Sequence, residues 1–194
     1  MQIEIREAGP DELRQYAAIP IAFEVESILR VELLDRGLGG IALREEHLDT
    51  PYTKDYDSYE DAGPERWQTR FEIRNWGIFI AVYGGRNVGG AAVAFDIPGV
   101  HMLEGRHDLA VLWDLRVAAD LRRNNIGTRL FQHAVNWCRA RGCTHLKIET
   151  QNINVPACRF YAKQGCRLGQ IHRYAYVGHP QLKNEVMLIW YLDL

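Results

Sequence analysis

Between residues 23 and 33 the chain alternates. Phe23, Val25, Ser27, Leu29, Val31 and Leu33 fall on one side of a period of two, with Glu24, Glu26, Ile28, Arg30 and Glu32 on the other. That period predicts a strand; the rival, on composition, is a helix over 24–36. Leu38, Gly39 and Gly40 then read as a turn, and residues 41–48 return antiparallel. Upstream, residues 3–7 predict a short strand, and Pro10 opens a helix with Asp11 and Glu12 in its first turn. Residues 49–64 hold prolines near both ends, many carboxylates and three tyrosines, which predicts a loop, followed by a short helix over 64–74.

The second half is more regular. Residues 77–83 and 87–95 predict a hairpin across Gly84 and Gly85, residues 97–108 a loop, and residues 109–117 a buried strand. Ile126, Leu130, Ala134 and Cys138 recur at steps of four, with Phe131, Val135 and Trp137 widening the stripe. This predicts a helix that carries Arg139 and Arg141 at its end and stops at Gly142. Residues 144–150 form a strand, Asn154 caps a second helix with Pro156 in its first turn, and residues 166–176 and 185–192 are closing strands. The order strand, helix, strand, helix, strand, strand predicts an α/β (α+β) layered fold, and 194 residues fit a single domain over 1–194.

Composition narrows the function classes. Lys and Arg total 23 against 25 Asp and Glu, a net charge of -2, so no basic field points to nucleic acid. Apolar runs fall short of the ~18 residues of a membrane helix, and the N-terminus is charged, so a cytoplasmic protein with no membrane partner is expected. Cys138, Cys143, Cys158 and Cys166 make no CxxC pair, which predicts small buried hydrophobes and no metal site.

The chemistry concentrates at LRVAADLRRNNIGTRL, residues 115–130, where a strand turns into a helix. The free N–H groups of a helix start form an anion site. Gly127 permits close backbone approach, Asn124 or Asn125 suits a left-handed residue, Thr128 adds a hydroxyl, and Arg122 and Arg123 add charge. On the residues alone, a solvated arginine turn is an equal reading, and a small nucleotide-binding module is another. The segment resembles the pyrophosphate signature of the GNAT superfamily of N-acetyltransferases: Arg or Gln, two residues, Gly, one residue, then Gly or Ala. Arg122, Asn125 and Gly127 occupy those places, with Asn125 departing from the usual glycine.

A second stretch, ETQNINVPACRFYAKQGCRLG at 149–169, resembles the later acyl-CoA and catalytic motif of that superfamily. Together with NEVMLIWYL near the C-terminus and PYTKDYD at 51–57, it is similar to the streptothricin acetyltransferase family. The resemblance implies a GNAT-like mixed, mostly antiparallel central sheet flanked by helices, acetyl-CoA as co-substrate, and direct transfer with no acyl-enzyme. It places pantetheine along Leu115, Arg116 and Val117, and the pyrophosphate over Arg122, Arg123, Asn124, Asn125, Ile126, Gly127 and Thr128. It also gives Asn154 a cofactor contact and Tyr161 the proton for the departing thiolate. Asp55, Tyr56 and Asp57 become substrate contacts, and the acceptor a β-lysine amine of a streptothricin-type antibiotic.

Acetyl transfer needs a neutral amine, yet at pH 7 only about one alkyl amine in 2,500 is neutral, a cost of roughly 4.6 kcal/mol. A base or a water path is therefore expected. Asp114 is the candidate base, beside Glu149, Asp108 and His107. In a regular strand Trp113, Leu115 and Val117 share one face and Asp114 shares the other with Arg116; a bulge reverses this. The acidic loop, Asp55, Asp57, Glu60 and Asp61 among Tyr52, Tyr56 and Tyr59, suits a polycationic amine and equally a solvated loop. A protein or peptide acetyltransferase and a non-catalytic acyl-CoA sensor are the alternatives, and the C-terminal aromatics suit a core or a homodimer contact.

Overall fold

In the computed structural model, which describes residues 2–60 and 62–194, the alternating stretch is a strand. The elements are β1 (Glu4–Glu7), α1 (Leu13–Ala17), β2 (Phe23–Leu34), β3 (Gly40–Lys54), α2 (Trp67–Arg70), β4 (Gly77–Tyr83) and β5 (Arg86–Phe95). They continue as β6 (Leu109–Val117), α3 (Ile126–Arg139), β7 (His145–Gln151), α4 (Val155–Lys163), β8 (Arg167–His172) and β9 (Met187–Asp193). Seven strands are ordered β1-β4-β5-β6-β7-β9-β8, and β2 pairs with β3 in a second sheet. β1, β4, β5 and β6 pair antiparallel and β6 with β7 parallel, the mixed α/β class expected.

Three expectations are corrected. β3 runs on to Lys54, through residues expected to be loop. Its register jumps from Ser27↔His47 to Val25↔Tyr52, so Pro51 lies in a gap of the ladder where its missing N–H costs no bond. The helix expected over 64–74 stops at Arg70 because Phe71 is extended (φ -137, ψ 151). The strand expected over 166–176 ends at His172, after which the chain turns and buries Tyr176. The 97–108 loop also contains a 3-10 turn, His101–Leu103, that buries Leu103.

By its contacts the chain forms two compact units, each built from separated segments. One comprises Met1–Ala22, Asp55–Ile148 and Tyr191–Leu194; the other Phe23–Lys54 and Glu149–Trp190. In the first, Leu13, Tyr16, Trp67, Trp76, Ile78, Ile80, Ala92 and Val111 form a buried cluster on one side of the strands. On the other side lies the apolar stripe of α3. Gly89 lets it approach: a Cβ there would stand 2.9 Å from Leu130 Cδ1 and 3.1 Å from Ile126 Cγ2. In the second unit Asn152 acts as a clasp. Its backbone and side chain exchange hydrogen bonds with Leu29 (2.9 and 3.0 Å) and Val186 (2.9 and 2.8 Å).

Candidate active site

β6 contains the bulge. Its partner residues on β5 are Ala92↔Asp114 and Val93↔Leu112, which leaves Trp113 as the extra residue. Downstream of it the alternation is reversed. Asp114 and Arg116 now face α1, and Leu115 and Val117, opposite Ala91 and Gly89, take the face of α3.

On the α1 face the polar groups form one network. Tyr16 donates to Asp114 Oδ1 at 2.7 Å. Arg116 gives a two-pronged contact to the same carboxylate, Nε to Oδ1 at 2.8 Å and Nη2 to Oδ2 at 2.7 Å. Its Nη1 donates to Asp57 Oδ2 at 2.6 Å and to the Ile19 carbonyl at 3.0 Å. The Arg116 side chain is 1% exposed. Burial pulls its guanidinium down, but Asp114's charge and the hydrogen bonds overcome this, so it lies above its ordinary value. Burial first, then the Asp114 charge, raises the Tyr16 hydroxyl well above the usual phenol range. Tyr16 went unnoticed in the sequence. Its signal was Gly90 inside a strand, a mark of close backbone approach.

β6 pairs with β7 only from Leu109↔His145 to Leu112↔Ile148 and then runs on to Val117. The main chain of Leu115, Arg116 and Val117 thus lies past the end of that ladder. The turn that follows is shaped by two left-handed residues, Arg123 (φ 67) and Asn125 (φ 63). Asn125 is the N-cap of α3, and its carbonyl accepts from the Arg129 N–H at 3.1 Å. The N–H groups of Ile126, Gly127 and Thr128 belong to the first helical turn, which has no partners of its own. Arg123 and Asn124 are exposed, and Asn124 Nδ2 returns to the Leu121 and Arg122 carbonyls, 3.3 Å each.

Arg122 is bonded to the main chain at two points. Its Nε donates to the Val117 carbonyl at 3.1 Å and its Nη2 to the Ala22 carbonyl at 2.6 Å. Burial lowers its guanidinium below the ordinary value. It staples the turn to the end of β6 and to the chain ahead of β2.

The second unit holds the other motif. Asn154 caps α4 through Oδ1, which accepts from the Ala157 N–H at 3.2 Å. Tyr161 is buried on α4, its ring edge-on to that of Phe160 at 5.2 Å. Glu149 Oε1 accepts from the Tyr176 hydroxyl at 2.5 Å and from Gln151 Nε2 at 3.2 Å. Burial and then the Glu149 charge raise the Tyr176 hydroxyl. Tyr176 and Asn152 were missed because their partners lie far along the chain.

The remaining base candidates lie at the opposite end of β6. Arg106 holds Asp108 with bonds of 2.9 and 2.8 Å, and with Thr144 keeps it below the usual carboxylate range. His107 pairs with Asp96. In the acidic loop the Asp57 N–H donates to Asp55 Oδ1 at 3.0 Å, and the rings of Tyr56 and Tyr59 meet edge-on at 6.1 Å. Tyr52 belongs to β3, and Asp61 lies outside the described residues.

Comparison with known proteins adds a family context. The model of the acetyltransferase (GNAT) family matches residues 41–166. The streptothricin acetyltransferase of Escherichia coli is 29% identical over 170 residues, 87% of this chain and 84% of that protein. Streptothricin acetyltransferase A of Bacillus subtilis (strain 168) is 37% identical over 82 residues, 42% of this chain but only 47% of its own length. Among solved structures, a candidate streptothricin acetyltransferase from Bacillus anthracis str. Ames, in complex with acetyl coenzyme A, has a TM-score of 0.77 and 25% identity, covering 100% of both chains. Nourseothricin acetyltransferase has a TM-score of 0.78 at 23% identity, covering 100% of this chain and 99% of that one, a likeness of fold.

Proposed function

The chain belongs to the acetyltransferase (GNAT) family, and from that premise we propose that it transfers the acetyl group of acetyl-CoA to a primary amine of a small cationic acceptor of the streptothricin class. The observation that carries this reading is the release of β6 from β7 after Leu112, followed by the left-handed turn at the head of α3. A strand edge past its ladder, leading to a helix N-terminus, suits an extended amide-bearing arm that ends in a diphosphate. On this reading the main chain of Leu115, Arg116 and Val117 pairs with the pantetheine amides. Ile126, Gly127 and Thr128 give their N–H groups to the pyrophosphate, Arg123 and Asn124 border it, and Arg122 and Asn125 keep the turn in shape. Asn154, with its Oδ1 engaged by the cap, has its amide N–H groups for the cofactor.

The co-substrate supplies an activated acyl group as a thioester. Tyr161 donates its phenolic proton to the departing sulfur, which a hydroxyl of pKa near 10 can do for a thiolate of pKa about 8.5. Asp114, the base expected from the sequence, already accepts three hydrogen bonds from Tyr16 and Arg116. We therefore assign it to holding Arg116, with the amine proton leaving to water. Asp55, Tyr56 and Asp57 receive the cationic acceptor. The names of the Escherichia coli and Bacillus subtilis relatives support the substrate class.

The test is an acceptor screen with acetyl-CoA, read by mass spectrometry, over streptothricin, lysine, polyamines, aminoglycosides and peptides. Addition of one acetyl group to streptothricin is expected. Acetylation of peptides alone overturns the substrate class, and failure of acetyl-CoA to bind overturns the whole reading.

A further inference from the structure

Among the described residues, two buried side-chain polar atoms have no hydrogen-bond partner, and both are indole nitrogens: Nε1 of Trp76 and Nε1 of Trp137. Their rings come from different elements. Trp76 stands just ahead of β4 and Trp137 near the end of α3, yet both line one cavity of about 250 Å3. Neither ring has room to turn elsewhere. Trp76 is 6% exposed and packs between the rings of Trp67 and Trp113 at 5.5 and 5.4 Å. Trp137 is 9% exposed and lies on Gly77, where a Cβ would stand 2.7 Å from its Cε2. An indole N–H only donates, and a buried donor left unpaired is destabilising. Two of them in one wall point to an acceptor that comes from outside the chain.

Arg141 adds a cation to the same wall. Its guanidinium carbon sits 3.6 Å over the Trp137 ring, and its Nη1 makes a long bond, 3.4 Å, to the Trp137 carbonyl. Arg74, also in the wall, is engaged by Glu72 at 2.8 and 3.0 Å. The end of α3 does not repel an anion with open carbonyls, because Cys138 accepts from the Arg141 and Cys143 N–H groups and Arg139 from that of Gly142. We infer that this cavity binds a small organic carboxylate. Its oxygens take the indole and guanidinium donors, and its apolar body lies against Trp76, Trp137 and Phe95. A cavity of about 150 Å3 already holds benzene, so an arylacetate fits. The site lies at the other end of α3 from Asn125, roughly 20 Å away along 14 residues, and does not rest on the acetyl-transfer reading.

The experiment is an NMR titration of the isotope-labelled full chain with phenylacetate, read at the N–H peaks of its 5 tryptophans. The peaks of Trp76 and Trp137, assigned through Trp76→Phe and Trp137→Phe, should move together and saturate at millimolar ligand. The Trp190 peak should stay, since that N–H already reaches Thr150 Oγ1 at 2.9 Å. Phenylacetamide, which lacks the charge, should bind about tenfold or more weakly, and Arg141→Gln should weaken phenylacetate by a similar factor. Glu7→Gln, which removes a like charge from the wall, should tighten it a few-fold. The remaining indole peaks in the same spectra report whether each variant is folded. Unmoved Trp76 and Trp137 peaks in the wild type overturn the site. Equal movement with sodium chloride or with phenylacetamide overturns the carboxylate assignment.

Discussion

The ring of Tyr16 lies directly on Gly90: a Cβ built on that glycine would stand 2.4 Å from Tyr16 Cε2 and 2.7 Å from Cζ. The close approach brings the hydroxyl to Asp114 at 2.7 Å. Gly90→Ala must push the ring away, and overpacking of this kind costs about 1–3 kcal/mol. Thermal melts should fall by several degrees, and acceptor KM should rise because Asp114 and Arg116 lose their support. An unchanged melting point would show that Tyr16 is free to move.

Arg122 offers a way to separate charge from shape. If it acts by stapling the Val117 and Ala22 carbonyls, Arg122→Lys keeps the charge but cannot reach both. Both Arg122→Ala and Arg122→Lys should then weaken acetyl-CoA by about tenfold or more, since unsatisfied carbonyls cost about 1–3 kcal/mol each. Calorimetry decides: wild-type affinity in the lysine variant would mean that charge alone matters.

Asn125 carries the opposite expectation. A non-glycine residue at φ 63 bears a steric cost that glycine does not. Asn125→Gly should leave acetyl-CoA binding equal or a few-fold tighter, whereas Asn125→Val should weaken it and lower the melting point. Identical binding by all three proteins would remove the left-handed turn from the cofactor site.

Tyr161→Phe removes one oxygen from a buried side chain. Loss of a positioned general acid lowers kcat by about a hundredfold or more. Acetyl-CoA affinity by calorimetry should stay near the wild-type value. Full turnover in this variant would end the proton-donor assignment.

Stability should fall on the alkaline side. Burial raises Cys166 from the ordinary 9.0 to about 11, and raises Cys138, Cys143, Cys158, Tyr16 and Tyr176 as well. As pH rises past about 9, the unfolded chain gives up these protons before the folded one does. The contribution of the thiols is therefore whole below that pH and is lost progressively above it. Melting temperatures measured from neutral pH to about 11 should decline over that window; a flat profile would refute the burial of these groups.

Where a run of residues faces one environment throughout, the pattern along the chain was readable. α3 has one consistent side, and the turn residues around Asn125 declare themselves by type. Asn154 as a cap and Pro156 behind it were equally plain. What escaped depends on partners distant in sequence. Tyr16 and Asp114 are 98 residues apart, Arg122 and Ala22 are 100 apart, and no local period encodes either contact. The same holds for Pro51, which looked like a loop residue because nothing local reveals that the ladder opposite it is broken. The bulge at Trp113 was allowed for but not located: simple alternation alone assigns Asp114 and Arg116 to the other side of the sheet, and only the pairing with β5 places the extra residue.

That extra tryptophan makes length, more than identity, the guarded property of this stretch. Swapping Leu115 for another aliphatic side chain disturbs one spot, whereas deleting a single residue between Leu112 and Asp114 turns every later position of β6 over. A carboxylate and a guanidinium would then be driven into the oily layer under α3, while two aliphatic groups replaced them beside Tyr16. Natural variants of this strand should consequently tolerate exchanges and refuse gaps.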